Sequence, residues 1–105
     1  MNSFYGGIFI DRKKLEEEGK GYPIKIEYYK KINEDEIIKK QNPKYGISIV
    51  KTEYIPNNTK IERKDIKYLS NDELKINNIL KLFKDNEVTP IAVEEIITDL
   101  SKKFF

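Results

Sequence analysis

The stretch YGISIVK at residues 45–51 decides the fold class of this 105-residue chain. Its larger apolar residues Tyr45, Ile47 and Ile49 alternate with Gly, Ser and Val, which is typical of a strand with one face in a core. The same period of two runs upstream, where one face would carry Ile24, Ile26, Tyr28 and Ile32. These two segments predict neighbouring strands of an antiparallel sheet.

A turn and a third strand are predicted after residues 45–51. The sequence PNNT at residues 56–59 favours a turn, because proline presets its first corner and asparagine tolerates a positive φ. The chain would then return through residues 60–68 as a hairpin. Ile61 is out of phase with Ile66 and Tyr68, so this arm either carries a bulge or pairs only in part.

Two helices with apolar stripes follow the predicted sheet. Ser70 and Glu73 have the spacing of a capping box, and Leu69 and Leu74 have that of a hydrophobic staple. Residues 89–90, Thr-Pro, predict the start of a second helix. The stripes consist of Ile76, Ile79, Leu80 and Phe83 in the first helix, and of Val93, Ile96, Ile97, Leu100 and Phe104 in the second.

The first 22 residues show no comparable pattern. Residues 8–10 are a short apolar run, Asp11 is placed to cap a short helix, and the glycine pair at residues 6–7 is typical of a turn. We therefore expect residues 1–22 to form an N-terminal appendage and residues 23–105 a single domain. The expected fold is α+β, with a three- to four-stranded antiparallel sheet followed by two C-terminal helices packed on one face.

Composition excludes several classes of activity. The chain has no histidine, cysteine or tryptophan, which excludes disulfides, thiolate or imidazole zinc sites, and Ser-His-Asp or Cys-His catalysis. Glu95 and Asp99 share one helix face but lack a third ligand, so we expect no metal site, no cofactor and no enzymatic activity. No segment approaches the roughly 18 apolar residues of a membrane span, and we expect a cytoplasmic protein.

Two segments carry a family resemblance. YGISIVK at residues 45–51 and NEVTPIAVEEIITD at residues 86–99 resemble an uncharacterised domain family of clostridia and related Firmicutes, a domain of unknown function. The resemblance extends from about Pro23 to Leu100 and implies origin and fold, with no activity or catalytic residue attached. The use of 18 lysines against 2 arginines is typical of AU-rich codons and favours a low-GC bacterium, or a phage or mobile element living in one.

The sheet face opposite the helices is the predicted interaction surface. If the helices cover the face of Tyr45, the other face lacks a further element to cover it, and tyrosine is enriched at protein interfaces. The partner-binding residues that we predict are Tyr28, Tyr29, Val50, Thr52 and Tyr54. The hypothesis is a protein-binding regulator or inhibitor that blocks a larger partner by occlusion, such as a phage or mobile-element product acting on a host defence protein.

Two other modes of association remain open. A second copy of the chain would also fill this face as a homodimer, and edge strands offer strand addition. The alternative function is nucleic-acid binding, because tyrosines and lysines interleave at residues 28–31. The lysines that would contact phosphate are Lys30, Lys31, Lys39, Lys40 and Lys44. The net charge of only +2 gives such binding a weak electrostatic footprint.

Overall fold

The computed structural model describes residues 1–11, 22–34 and 42–104. It confirms the α+β fold: an antiparallel four-stranded sheet in the order β1-β2-β3-β4 is followed by two helices. The elements are β1 (Asn2–Ile10), β2 (Ile24–Ile32), β3 (Tyr45–Glu53), β4 (Lys60–Ser70), α1 (Glu73–Asp85) and α2 (Pro90–Phe104). Each strand pairs with the next one along the chain, so the sheet is a meander.

The expected N-terminal appendage is wrong for residues 2–10, because they form β1. This strand pairs antiparallel with β2 from Asn2 opposite Lys31 to Ile10 opposite Ile24. The pairing shifts between Phe4 and Gly6, and the glycine pair lies within the strand rather than in a turn. A bulge of this kind changes the phase of the side chains, so no single period of two marks β1 in the sequence. The short helix predicted after Asp11 lies outside the described residues.

The hairpin between β3 and β4 has the predicted turn. The amide of Asn58 donates to the carbonyl of Ile55 at 2.9 Å, and Asn57 has a φ of 64°. Ile61 is out of phase with Ile66 simply because the two residues lie on opposite faces of β4.

The irregularity in this hairpin is at its other end, beside Gly46. A Cβ atom on Gly46 would collide with the carbonyl oxygens of Ile66 and Lys67. Because any other residue carries a Cβ, only glycine lets the two backbones approach this closely.

The core lies between one face of the sheet and the two helices. Ile26, Ile47 and Ile49 have no exposed surface, and neither have Phe83 of α1 and Val93 of α2. Ile76, Ile79, Leu80 and Phe83 of the first predicted stripe are buried, while Ile96, Ile97 and Leu100 of the second pack against the core in part. Each fully buried side chain of this size contributes about 1.5–3 kcal/mol of transfer free energy. Both stripes are therefore confirmed as core faces, within the side chains described.

The predicted capping box is wrong, although the helix begins close to the expected residue. Asp72 is the N-cap, and its Oδ1 accepts from the amides of Leu74 at 3.0 Å and Lys75 at 3.4 Å. Ser70 is still the last residue of β4, so it lies too early to cap the helix. Leu74 is 67% exposed and makes no staple. The predicted start of α2 at Pro90 is confirmed.

Neither helix, as far as its residues are described, combines the length and apolar character that crossing a bilayer requires.

Candidate protein-binding face

One side of the sheet is not covered by either helix or by any other described element. We call it the uncovered face, and it is the side on which the odd-numbered residues of β2 lie, because successive side chains of a strand alternate. Its residues include Phe4, Phe9, Lys25, Glu27, Tyr29, Lys31, Ser48, Val50, Thr52, Tyr54, Ile61, Arg63 and Asp65.

Exposed apolar side chains line the two edges of the uncovered face. Phe4 is 59% exposed and Phe9 is 62% exposed on β1, while Ile61 is 65% exposed on β4. The ring of Phe4 meets that of Tyr29 edge-on at a centroid distance of 5.5 Å, and the ring of Phe9 lies 6.4 Å from that of Tyr54. These contacts orient the phenylalanines and leave most of their surface in water.

A first polar cluster lies between these edges, on β2. The hydroxyl of Tyr29 donates to Oε2 of Glu27 at 2.7 Å, and Nζ of Lys25 lies 3.6 Å from Oε1 of the same carboxylate. Because the Glu27 carboxylate accepts this hydrogen bond, it raises the pKa of the Tyr29 hydroxyl. The pKa of Lys25 is also raised, first by the hydroxyl of Tyr54 and then by Glu27. The cluster therefore favours the charged form of Lys25 and the neutral form of Tyr29.

A second polar cluster is built around Asp65 of β4. Nε of Arg63 lies 3.0 Å from Oδ2 of Asp65, and Nζ of Lys31 lies 3.9 Å from Oδ1. Burial is the largest single influence on the pKa of Asp65 and raises it, but the nearby Ser48 hydroxyl, Arg63 and Lys31 together outweigh burial and lower the pKa. Oγ of Ser48 is buried and has no partner at hydrogen-bond geometry among the described residues.

The two clusters leave the uncovered face almost neutral. Three cations, Lys25, Lys31 and Arg63, lie against two carboxylates, Glu27 and Asp65. Each of these charges already has a partner of opposite sign on the same face. The arrangement therefore suits a partner that supplies apolar contact area more than one that supplies a high charge.

Four of the five predicted partner-binding residues lie on this face. Tyr54 is 39% exposed, Tyr29 and Val50 are half-buried, and Thr52 is buried among its neighbours. Tyr28 is the exception and corrects the prediction. It shares the core face with Ile24 and Ile26, has no exposed surface, and donates from its hydroxyl to the carbonyl of Val88 at 2.8 Å.

Sequence reasoning missed Phe4, Phe9 and Ile61. Phe9 lies between Ile8 and Ile10 in a short run that is apolar throughout, so the sequence does not show which side faces the core. The phase of Ile61 was visible but was interpreted as a bulge or partial pairing, whereas it places Ile61 opposite Thr52 on the uncovered face. Phe4 was hidden, because the bulge places it on the same face as Phe9 at an odd spacing.

The lysines of the nucleic-acid alternative do not form one surface among the described residues. Lys30 points to the helix side, where its Nζ bonds Oε1 of Glu73 at 2.8 Å. Lys31 points to the uncovered face. Nζ of Lys44 lies 5.5 Å from the ring centroid of Tyr45, which is on the core face. Lys39 and Lys40 are outside the described residues.

Acidic side chains do not converge in the described part of the chain. Among the described residues, no third carboxylate lies beside Glu95 and Asp99. No group of three or more Asp or Glu in that part of the chain could hold one metal ion.

Comparison with known proteins identifies the family. Residues 8–103 match the model of a family described as "Family of unknown function (DUF6514)", and the chain belongs to it. The match is wider than the span from Pro23 to Leu100 inferred from the motifs, and it begins within β1. Comparisons with curated proteins and with solved structures found no match.

Proposed function

We propose that this member of a family of unknown function is a non-enzymatic, protein-binding regulator or inhibitor. It docks through the uncovered face and blocks a larger partner protein by occlusion. The observation that carries the proposal is the exposure of Phe4, Phe9 and Ile61 around two internally neutralised charge clusters. Covering exposed apolar area releases about 25 cal/mol per Å², so these side chains are natural anchors.

The size of the face sets the kind of complex. Strands about 30 Å long at a spacing of about 4.8 Å give four strands a face of roughly 570 Å². A standard interface covers about 800 Å² on each partner. Binding through this face alone therefore depends on a few well-seated anchors, and we place them at the two phenylalanines.

A specific form of the proposal is an inhibitor encoded by a phage or mobile element that blocks a host defence protein in the cytoplasm. Its support is compositional: the lysine-rich, arginine-poor sequence is typical of AU-rich genomes, and the absence of cysteine is compatible with a reducing compartment.

Capture with matched variants tests the proposal. The tagged protein is compared with F4S/F9S on the uncovered face and with L74S/I91S on the helices, where Leu74 is 67% and Ile91 is 86% exposed. We expect a protein retained by the wild type and by L74S/I91S, and lost by F4S/F9S. Equal retention by both variants would refute docking through the uncovered face. All three proteins should melt within a few degrees of one another, since each pair of side chains is mostly in water.

Nucleic-acid binding remains the alternative. Its residues Lys30 and Lys31 lie on opposite faces and pair with Glu73 and Asp65, respectively. A salt titration of the captured complex separates the two functions. Phosphate contacts make the logarithm of affinity fall steeply with the logarithm of salt concentration, whereas an aromatic protein interface responds weakly.

A further inference from the structure

The two edges of the sheet differ in how they are protected against pairing. The strand order leaves β1 and β4 at the edges. β4 carries six charged residues among eleven, whereas Asn2–Ile10 contains no charged residue and no proline. Charges and prolines on an edge strand are the usual protection against strand addition. β4 has that protection, whereas β1 has neither charge nor proline and carries a bulge between Phe4 and Gly6. No described strand lies beyond β1.

The hydrogen bonds at the start of β1 show which of its amides point outward. The amide of Ile32 donates to the carbonyl of Met1 at 2.8 Å, and the amino group of Met1 donates to the carbonyl of Ile32 at 3.0 Å. The two residues therefore form a hydrogen-bonded pair. Such pairs alternate with non-bonded pairs along an antiparallel ladder. Following the register through the bulge places the amides of Phe4, Gly7 and Phe9 on the side away from β2.

These positions are compatible with self-pairing. In an antiparallel pair of β1 strands, Phe4 of one copy lies opposite Gly7 of the other, and Asn2 lies opposite Phe9. Every outward-pointing amide then meets an outward-pointing carbonyl, and the two bulges face each other at residues 5–6. An aromatic ring next to a cross-strand glycine is a favourable sheet contact. In the single chain, the Phe4 ring already lies over Gly7, where a Cβ would be 3.6 Å from it.

We infer that β1 pairs along its outer edge with β1 of a second copy of this chain, giving a dimer with one continuous sheet. A second copy is the occupant because it presents an equally uncharged edge strand whose outward groups match in register. The chain's net charge of +2 opposes this association little. This inference goes beyond the proposed function and stands on β1 alone. The dimer also joins two uncovered faces into one surface of roughly 1,100 Å². This exceeds the area of about 800 Å² that a standard interface covers on each partner.

Sedimentation equilibrium and amide exchange on the full chain test the inference together. We expect a monomer–dimer equilibrium, with the amides of Phe4, Gly7 and Phe9 exchanging at least tenfold more slowly as the dimer forms. The amides of Ile8 and Ile10, which face β2, are internal controls and should not change with concentration. A monomer at every concentration would overturn the inference. A dimer whose Phe4, Gly7 and Phe9 amides still exchange rapidly would overturn it as well.

A charge variant adds a second readout that leaves the uncovered face unchanged. Ser3 lies on the helix side of β1, so S3K puts a lysine beside the aliphatic Ile8 of the second copy. We expect at least a tenfold weaker dimer, whereas I91K, with the same added charge on α2, should dimerise as the wild type does. An unchanged dimerisation constant for S3K would contradict edge pairing. Because Phe4 and Phe9 are intact in S3K, its result is independent of the capture experiment.

Discussion

Replacing Tyr28 with phenylalanine tests the assignment of the two faces of β2. The ring of Tyr28 is fully buried, and its hydroxyl donates to the carbonyl of Val88 at 2.8 Å, which joins β2 to the turn between α1 and α2. In Tyr28→Phe the ring still fills its site, but the buried carbonyl loses a donor. Leaving a buried acceptor unsatisfied costs about 1–3 kcal/mol. Burial and the charge of Glu87 also raise the pKa of Tyr28, consistent with a hydroxyl kept neutral in an apolar site.

The neighbouring residue is the matched control. The Tyr29 hydroxyl bonds Glu27 at the surface of the uncovered face. Tyr29→Phe should change the free energy of unfolding by no more than about 0.5 kcal/mol, as exposed substitutions usually do. The two variants therefore remove the same group from adjacent residues and should differ by roughly 1–3 kcal/mol.

Urea unfolding followed by far-ultraviolet circular dichroism measures this difference, with thermal melting as a second measurement. At about 4 °C per kcal/mol, Tyr28→Phe should lower the Tm by about 4–12 °C. Equal stability of Tyr28→Phe and wild type would refute the buried bond. A larger loss in Tyr29→Phe than in Tyr28→Phe would mean that the faces of β2 are reversed.

Two further variants test single contacts. Gly46→Ala should destabilise the protein by at least about 1–3 kcal/mol, because its methyl group meets the carbonyls of Ile66 and Lys67; unfolding at the wild-type urea midpoint would contradict that close approach. Glu73→Gln tests a charge, since hydrogen bonds from Lys30 and then Tyr45 lower the pKa of Glu73 in the folded state. A lowered pKa stabilises the fold above the unfolded value of about 4.3, and this contribution disappears as pH falls through the folded value. The wild type should therefore be more stable than Glu73→Gln at pH 7, and the difference should shrink as the pH falls below the unfolded value of about 4.3. A difference that is constant between pH 3 and pH 7 would contradict this assignment.

Local sequence predicted the elements wherever the apolar pattern was long. The strands at residues 24–32 and 45–53 and the stripes of both helices follow from periods that depend only on backbone geometry. The turn at residues 56–59 was predicted for the same reason, because proline and asparagine act on their own φ angles.

Prediction failed where a distant segment determines the outcome. Asp72, rather than Ser70, caps α1 because pairing with β3 keeps Ser70 in β4. β1 was missed because a bulge breaks its pattern and because its place depends on pairing with β2. Because β1 was missed, the edge of the uncovered face that carries Phe4 was missed as well.

The amino-acid sequence by itself determined that this chain forms an antiparallel sheet followed by two amphipathic helices, because hydrophobic periodicity and turn residues act over only a few residues. Tertiary structure alone decided that β1 completes the sheet, that Tyr28 is core while Tyr29 is surface, and that Phe4, Phe9 and Ile61 share one exposed face. Those outcomes depend on which segments pair and which side the helices cover. The pairing of the strands and the side covered by the helices are both determined by how the whole chain buries its apolar area. A pattern of a few neighbouring residues does not contain that information.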